Sequence, residues 1–293
     1  MCGNSCADEY AEPQIGTVTN EARQKQQKGD SRMKLGFLYA GQGSQHPGMG
    51  ADLYEAYPAF RSVIDGADVD FDLKTISFSD PGGVLNQTRY TQPCMVAFAA
   101  GLTAVLKEKG ILPAAAAGLS LGEYSALHAA GVFDAQTAIR TVAFRGKAME
   151  KAADGRPSAM KAVLGLGREA LQEACEEASS EGCVVIANYN CPGQLVIGGE
   201  KDAVEKAAVL AKEKGAKRCL PLRVSGPFHT PLMAPAGEAL ETYFRNMDFA
   251  PMQIPVIFNC IGSEKQEEDS IASLLVRQVQ SSVYMEDSIR YMA

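Results

Sequence analysis

Short apolar runs and amphipathic helical stripes alternate along residues 34–154. The apolar runs at residues 35–40 and 112–117 have the length and side-chain size of buried strands. Residues 94–106 and 135–153 carry apolar positions at helical spacing and predict helices. Strands that alternate with helices in this way are typical of an α/β fold with a doubly wound parallel sheet.

The rhythm changes after residue 157, where the pattern predicts a β-α-β-β-α-β unit. Such a unit is ferredoxin-like. We therefore predict a large α/β domain from residues 33–156 and 223–293, a small inserted domain from residues 157–222, and a functional site in the cleft between them. The predicted elements of the small domain are strands at 160–166, 184–189, 195–197 and 217–222, and helices at 168–180 and 201–214.

The first 32 residues are polar and lack periodicity, which predicts a disordered tail. Hydrophobic residues form 46% of the 293, enough for one or two cores. The longest apolar run, residues 94–106, is too short to cross a bilayer, and no secretory signal is recognisable. We therefore expect a cytoplasmic enzyme without membrane association.

Composition also argues against several other classes of protein. The net charge is −7 and no basic tract is present, which disfavours nucleic acid as a partner. The eight cysteines are scattered without a Cys-x-x-Cys pair or a histidine cluster, so we expect neither a metal site nor a disulfide framework. The turn at residues 41–46 fails as a dinucleotide fingerprint because His46 occupies the third glycine position.

Residues 118–122 read Gly-Leu-Ser-Leu-Gly and are the strongest candidate for chemistry. The pattern Gly-x-Ser-x-Gly, between a strand and a helix, is typical of a nucleophilic serine on a sharp turn, here Ser120. The N–H of Leu121, at the start of the helix, is then a candidate oxyanion donor. The same pattern also occurs by chance in glycine-rich loops.

A nucleophilic serine needs a base, and the chain has three histidines. His128 lies eight residues along the predicted helix, roughly 12 Å from Ser120 at 1.5 Å per residue, which is out of reach. His46 fits an exposed loop, whereas His229 is flanked by prolines that stiffen its loop. His229 is our candidate base, although a lone histidine is more often structural. No acidic residue is near it in sequence, so we expect a backbone carbonyl to orient it, giving a Ser-His dyad.

Arg145 falls on the apolar stripe of the helix predicted at residues 135–153. A buried guanidinium without a partner is costly. Arg145 is therefore expected to extend to the surface, to pair with an internal carboxylate, or to bind an anionic ligand. Its position in the sequence leaves all three open.

Six segments together resemble the malonyl-CoA:acyl carrier protein transacylase family, from about residue 33 to the last residue, 293. They occur in the family's order and at suitable separations. The segments are Gly-Gln-Gly-Ser-Gln (41–45), Tyr-Thr-Gln-Pro (90–93), Gly-Leu-Ser-Leu-Gly-Glu-Tyr-Ser (118–125), Phe-Arg-Gly-Lys (144–147), Asn-Tyr-Asn-Cys-Pro-Gly-Gln (188–194) and Phe-His (228–229).

The resemblance implies a reaction and a role for each candidate. Ser120 would attack malonyl-CoA with His229 as base, and the phosphopantetheine thiol of an acyl carrier protein would then take the malonyl group. The backbone N–H groups of Leu121 and Gln42 would form the oxyanion hole, and Arg145 would bind the malonyl carboxylate. The implied fold is a large α/β-hydrolase-like domain with the small insertion.

Further residues receive roles from the same resemblance. Gln92, Phe228 and Asn190 would support the acyl pocket, and the bulk of Phe228 favours malonyl over branched acyl groups. The carbonyl of Tyr284 would orient the imidazole. The family's chains continue for another strand and a Gly-Pro-Gly turn, so we expect either that this chain is truncated relative to the family or that its large domain lacks that element.

Malonyl-CoA and the carrier protein's phosphopantetheine arm are the implied substrates, with no bound cofactor and a monomeric enzyme. Because carrier proteins are acidic, Lys217 and Arg218 are candidates for the docking surface, although they also fit an ordinary solvated face. Three other functions stay open. One is a malonyl-loading acyltransferase of polyketide synthesis, another is a serine esterase on the same turn, and the third is a catalytically silent module that binds the carrier protein.

Overall fold

Three parallel strands form the central sheet of the computed structural model, which describes residues 34–293. These strands are β1 (Gly36–Tyr39), β2 (Ala115–Gly118) and β7 (Val256–Ile257), in the order β1-β2-β7. The alanines of β2 are largely buried, because small side chains allow helices to approach the sheet closely. In the structure β2 begins at Ala115, three residues later than the strand predicted at residues 112–117. The skipped residues include the exposed Leu112 and the proline that follows it.

Helices link the strands of both sheets. The helix predicted at residues 135–153 has those bounds in the structure, and its N-cap residue Asp134 accepts a hydrogen bond from the N–H of Thr137. The helices are α1 (Ala51–Ala56), α2 (Pro58–Asp65), α3 (Leu73–Phe78), α4 (Thr88–Glu108), α5 (Gly122–Ala129), α6 (Ala135–Ala153), α7 (Arg168–Ala178), α8 (Lys201–Glu213), α9 (Ala234–Phe244), α10 (Ile271–Val279) and α11 (Met285–Met292).

The second sheet has five strands in the order β6-β3-β5-β4-β8. Four of them pair in antiparallel fashion, and β8 adds in parallel to β4. The chain order from β3 to β6 is β-α-β-β-α-β, as the sequence predicts, but the sequence pattern does not predict the pairing of β4 with β8. The strands are β3 (Ser158–Leu164), β4 (Val184–Cys191), β5 (Gln194–Glu200), β6 (Arg218–Pro221) and β8 (Val283–Tyr284).

The two faces of this second sheet belong to different hydrophobic clusters. On one face, Val163 and Ile197 pack with Leu171 of α7 and Ala207 of α8. Met160 and Val196 instead join the core of the first sheet. The face that carries Met160 and Val196 therefore points toward the carboxyl ends of the parallel strands of the first sheet, where ligands bind in open α/β folds.

Two sequence predictions concern the start of the chain and the membrane. The predicted tail at residues 1–32 falls outside the described residues. Among residues 34–293, no helix is both long and apolar enough to cross a membrane.

Candidate active site

Ser120 occupies the sharp turn between β2 and α5. Its φ is 52°, in the left-handed region that residues with a Cβ atom rarely adopt. A Cβ atom on Gly118 would overlap the backbone of Gly122, and one on Gly122 would overlap the carbonyl of Tyr39 in β1. Both glycines are therefore needed for α5 to start directly against the sheet, as the Gly-x-Ser-x-Gly pattern predicts.

His229 lies beside this serine. Its Nε2 is 2.7 Å from Ser120 Oγ, and its Nδ1 is 2.9 Å from the carbonyl oxygen of Gln278. Because that carbonyl can only accept, Nδ1 carries the proton and Nε2 is left to accept the hydroxyl proton of Ser120. The structure thus brings together the two residues of the predicted dyad, with a backbone carbonyl in place of an acid.

The carbonyl that orients the imidazole is that of Gln278, so the expectation of Tyr284 is wrong. Gln278 lies in the last turn of α10, where carbonyls lack an intrahelical partner and are free to accept other donors. The carbonyl of Tyr284 instead accepts the hydroxyl of Ser288 in α11.

The pKa of His229 is lowered to about 4, mainly because the ring is buried and also because the charge of Arg145 is near. Both effects disfavour the imidazolium. His229 is therefore neutral at physiological pH and able to accept a proton.

This pKa predicts an unusual pH dependence. The acylation rate of the free enzyme should stay nearly constant as the pH falls from 7 toward about 5, and should then decline with a midpoint near 4, because only the neutral imidazole accepts the proton of Ser120. The measurement is kcat/KM for acylation across this range, with circular dichroism at each pH to confirm that the protein is folded. A midpoint near 6.5, the ordinary histidine value, would contradict the burial argument.

Arg145, on α6, is 1% exposed and lies against the serine. Its Nη2 donates to Ser120 Oγ at 3.1 Å and to Gln278 Oε1 at 2.9 Å, and its guanidinium carbon is 5.4 Å from the centre of the Tyr124 ring. No carboxylate of residues 34–293 lies within 4.0 Å of the guanidinium. Of the three possibilities that the sequence left open, this geometry removes extension to the surface and an internal ion pair among the described residues.

A cavity of about 160 Å³ opens next to these three side chains. All three residues predicted to support the pocket line it, and Asn188 lines it as well, beside the predicted Asn190. Gln92 donates through Nε2 to the sulfur of Met149 at 3.3 Å, while Gln92 Oε1 and Asn190 Oδ1 are buried without a hydrogen-bond partner among the described residues. Phe228 contributes a largely buried ring, so the cavity is apolar in part, with polar atoms at defined points.

The two predicted oxyanion donors also line the cavity. Leu121 directly precedes α5, and neither its N–H nor that of Gln42 donates a hydrogen bond to another described residue. The side chain of Gln42 is fixed by a 3.1 Å hydrogen bond to Thr88 Oγ1. Two unused backbone donors beside a serine hydroxyl can stabilise a developing oxyanion.

Gln278, Asn259 and Glu123 also belong to this site, although no sequence pattern assigned them a role. Gln278 Nε2 donates to the carbonyl of Ser120 at 2.8 Å, and the Asn259 side chain accepts the N–H of Ser120 and donates to the carbonyl of Gly118. Glu123 is fully buried, and burial raises its pKa to about 8.

Lys217 and Arg218, the predicted docking residues, are exposed at one end of β6. The cavity lies at the other end, where the N–H of Leu222 donates to the carbonyl of Met160. At roughly 3.3 Å per residue, the segment from Arg218 to Leu222 places the predicted docking residues about 13 Å from the edge of the cavity.

Across residues 34–293, no group of three or more His, Cys, Asp or Glu side chains could hold a metal ion.

Comparison with known proteins connects this geometry to a family. The family model described as "acyl transferase domain" matches residues 36–293. A malonyl CoA-acyl carrier protein transacylase of Bacillus subtilis is 42% identical over 259 residues, which cover 87% of this chain and 82% of the relative.

Solved structures give the same result. An acyl carrier protein S-malonyltransferase of Vibrio cholerae is 41% identical with a TM-score of 0.85, covering 89% of this chain and 86% of the other. A malonyl-transacylase solved in complex with its type II polyketide synthase acyl-carrier protein is 39% identical with a TM-score of 0.85, covering 89% and 85% of the two chains.

Proposed function

We propose that this chain, which belongs to the acyl transferase family, moves a malonyl group from malonyl-CoA to the phosphopantetheine thiol of an acyl carrier protein. One observation supports this function above the others. The Arg145 guanidinium is buried beside Ser120, lines the cavity and has no carboxylate partner among residues 34–293. A free carboxylate on the acyl group would complete this pair.

In the first half-reaction, Ser120 Oγ attacks the thioester carbonyl of malonyl-CoA. His229 Nε2 accepts the hydroxyl proton as the bond forms, and the N–H groups of Leu121 and Gln42 stabilise the oxyanion. Collapse of the tetrahedral intermediate breaks the C–S bond. The proton on Nε2 then goes to the departing CoA thiolate, which leaves a malonyl ester on Ser120.

The second half-reaction reverses these roles for a new thiol. The phosphopantetheine thiol gives its proton to His229 Nε2, and its sulfur attacks the ester carbonyl in the same oxyanion hole. When the intermediate collapses, the proton returns to Ser120 Oγ. The products are malonyl-carrier protein and free enzyme, a ping-pong sequence that uses each group twice.

The lining of the cavity supports malonyl as the acyl group. Arg145 would bind the distal carboxylate through a planar pair of N–H donors, and the unpartnered Gln92 Oε1 and Asn190 Oδ1 lie along the same cavity. Phe228 fills space that a branched acyl group needs. A serine esterase has no use for this arginine, which makes esterase activity the weaker alternative.

Loading of malonyl in polyketide synthesis is the second candidate. The observation that favours it is the similar malonyl-transacylase solved with its type II polyketide synthase carrier protein. Both candidates share the chemistry at Ser120 and differ in the carrier protein that accepts the malonyl group.

We further propose that residues 157–222 form a ferredoxin-like domain inserted into the large α/β-hydrolase-like domain. The strand order β6-β3-β5-β4, with α7 and α8 packed on one face, supports this assignment. The insertion then supplies one wall of the acyl pocket through Met160, Asn188 and Val196.

The proposed function is tested by separating the two half-reactions. The purified protein is first incubated with malonyl-CoA alone, and holo acyl carrier protein is added after excess malonyl-CoA is removed. We expect one malonyl group on the enzyme in the first step and its appearance on the carrier protein in the second. Release of free malonate without transfer would identify a hydrolase and contradict the proposal.

Docking of the acidic carrier protein on Lys217 and Arg218 is a separate prediction. Reversing both charges to glutamate should raise the KM for carrier protein about tenfold, since each exposed charge pair contributes up to about 1 kcal/mol. Acylation by malonyl-CoA should not change. The matched control reverses Lys201 and Lys206, exposed lysines of α8, and alters the net charge equally. Equal effects in both double variants, or none in either, would remove these residues from the docking surface.

A further inference from the structure

The backbone around Ser120 is held by side chains where regular secondary structure ends. β2 ends at Gly118 and α5 begins at Gly122. Between them the N–H of Leu119 still donates to the carbonyl of Tyr39, but the N–H of Ser120 donates to no backbone carbonyl. Asn259 bonds the backbone here at two points. Its Nδ2 donates to the carbonyl of Gly118 at 2.7 Å, and its Oδ1 accepts the N–H of Ser120 at 2.5 Å.

Asn259 is itself fixed in place. It is fully buried and follows β7, the strand next to β2, so both strands deliver their carboxyl ends to the same edge. Its N–H donates to Glu123 Oε2 at 2.6 Å, and its carbonyl accepts the N–H of Tyr284 at 2.8 Å. The backbone N–H, the backbone carbonyl and both polar atoms of the Asn259 side chain therefore each have a partner.

This position needs a side chain with one donor and one acceptor, which a carboxamide supplies at every pH. One face of the group must donate to a carbonyl while the other accepts from an N–H. A carboxylate would accept from Ser120 but repel the carbonyl of Gly118, and an alanine would leave both peptide groups unpaired. This requirement matters because Ser120, with its φ of 52°, occupies a conformation that it would otherwise leave.

We propose that Asn259 is a positioning residue for the nucleophile: its carboxamide bridges Gly118 and Ser120, holding the turn so that Oγ meets His229 and the N–H of Leu121 points at the oxyanion. The proposal rests on the proposed function only in requiring a tetrahedral intermediate on Ser120. Asn259 acts through the serine backbone and contacts no substrate.

The test compares Asn259→Asp, Asn259→Ser and Asn259→Ala with the wild type. Asn246→Asp, the same chemical change at an exposed position, is the matched control. We expect each Asn259 variant to slow acylation by malonyl-CoA about 100-fold, the effect of misplacing a reacting group by about 1 Å. Affinity for malonyl-CoA and the malonyl-to-acetyl ratio should stay at wild-type values, because the acyl pocket is untouched.

The Asn259→Asp variant offers a rescue that a purely structural role does not predict. When the introduced carboxyl group is protonated, it has an O–H donor and a carbonyl acceptor, so the acylation rate of this variant relative to wild type should rise as the pH falls. The ionisable groups around this site include Glu123, Tyr124, Arg145, His229 and Cys260, and His229 stays neutral down to about pH 4. A relative rate independent of pH would contradict the bridging role.

Labelling by a fluorophosphonate separates this proposal from the proposed function, since the probe needs a reactive Ser120 but no malonyl group. Slower labelling of the Asn259 variants supports the positioning role even if the wild type transfers no malonyl. The positioning role would be overturned by folded Asn259 variants that are labelled and acylated at wild-type rates, or in which only the KM for malonyl-CoA changes. If no Asn259 variant gives a cooperative thermal melt, Asn259 is needed for folding and the positioning role is also rejected.

Discussion

Replacing His229 by alanine should slow acylation by malonyl-CoA by about 10⁴-fold or more, the usual loss when the base of a serine nucleophile is removed. His229 Nε2 is 2.7 Å from Ser120 Oγ, and no other histidine of the described residues is within reach of that oxygen. Ser120→Ala should abolish the malonyl ester. The measurement is rapid-quench acylation followed by intact mass, per folded enzyme.

The matched control is His46→Ala, which removes an exposed imidazole from a loop. It should acylate at the wild-type rate. Rapid turnover by folded Ser120→Ala, or a His229→Ala rate within about tenfold of wild type, would remove the dyad from the mechanism.

Replacing Arg145 by alanine should change which acyl group is transferred. Malonyl transfer should fall while acetyl transfer stays or rises, because acetyl has no carboxylate to leave unpaired. A desolvated, charge-assisted pair discriminates by about 2–5 kcal/mol, or roughly 30- to 5,000-fold in the malonyl-to-acetyl ratio of kcat/KM. Arg145→Lys should restore only part of this ratio, since an ammonium cannot reproduce the planar fork.

Arg140→Ala is the matched control for this prediction. Arg140 lies on the same helix but is exposed, and its loss should leave the ratio unchanged. If a folded Arg145→Ala protein keeps the wild-type ratio, Arg145 has a structural role and malonyl selectivity arises elsewhere.

Local patterns were sufficient for much of this structure. The helix at residues 135–153 carries its own N-cap and an apolar stripe along its whole length, broken only at Arg145, so its bounds could be predicted without tertiary information. The turn at Ser120 is recognisable from two glycines whose missing Cβ atoms are required by the packing. Arg145 was recognisable because a cation on an apolar stripe contradicts the pattern around it.

Long-range contacts were not predictable in the same way. Gln278 and Asn259 reach the site from more than 130 residues away in sequence, and glutamine and asparagine give no periodic signal. The orienting carbonyl was assigned to Tyr284 and belongs to Gln278, because a backbone acceptor depends on where a helix ends and leaves no mark in side-chain identity. The pairing of β8 with β4 involves two residues of each strand, too few for a sequence pattern.

Mapping the acyl group tests the central claim most directly. The wild-type protein is incubated with malonyl-CoA, digested under acidic conditions and analysed by tandem mass spectrometry, with and without added holo acyl carrier protein. We expect one malonyl group on Ser120, which disappears when the carrier protein is present. A malonyl group on a cysteine, or one on Ser120 that the carrier protein does not remove, would contradict it.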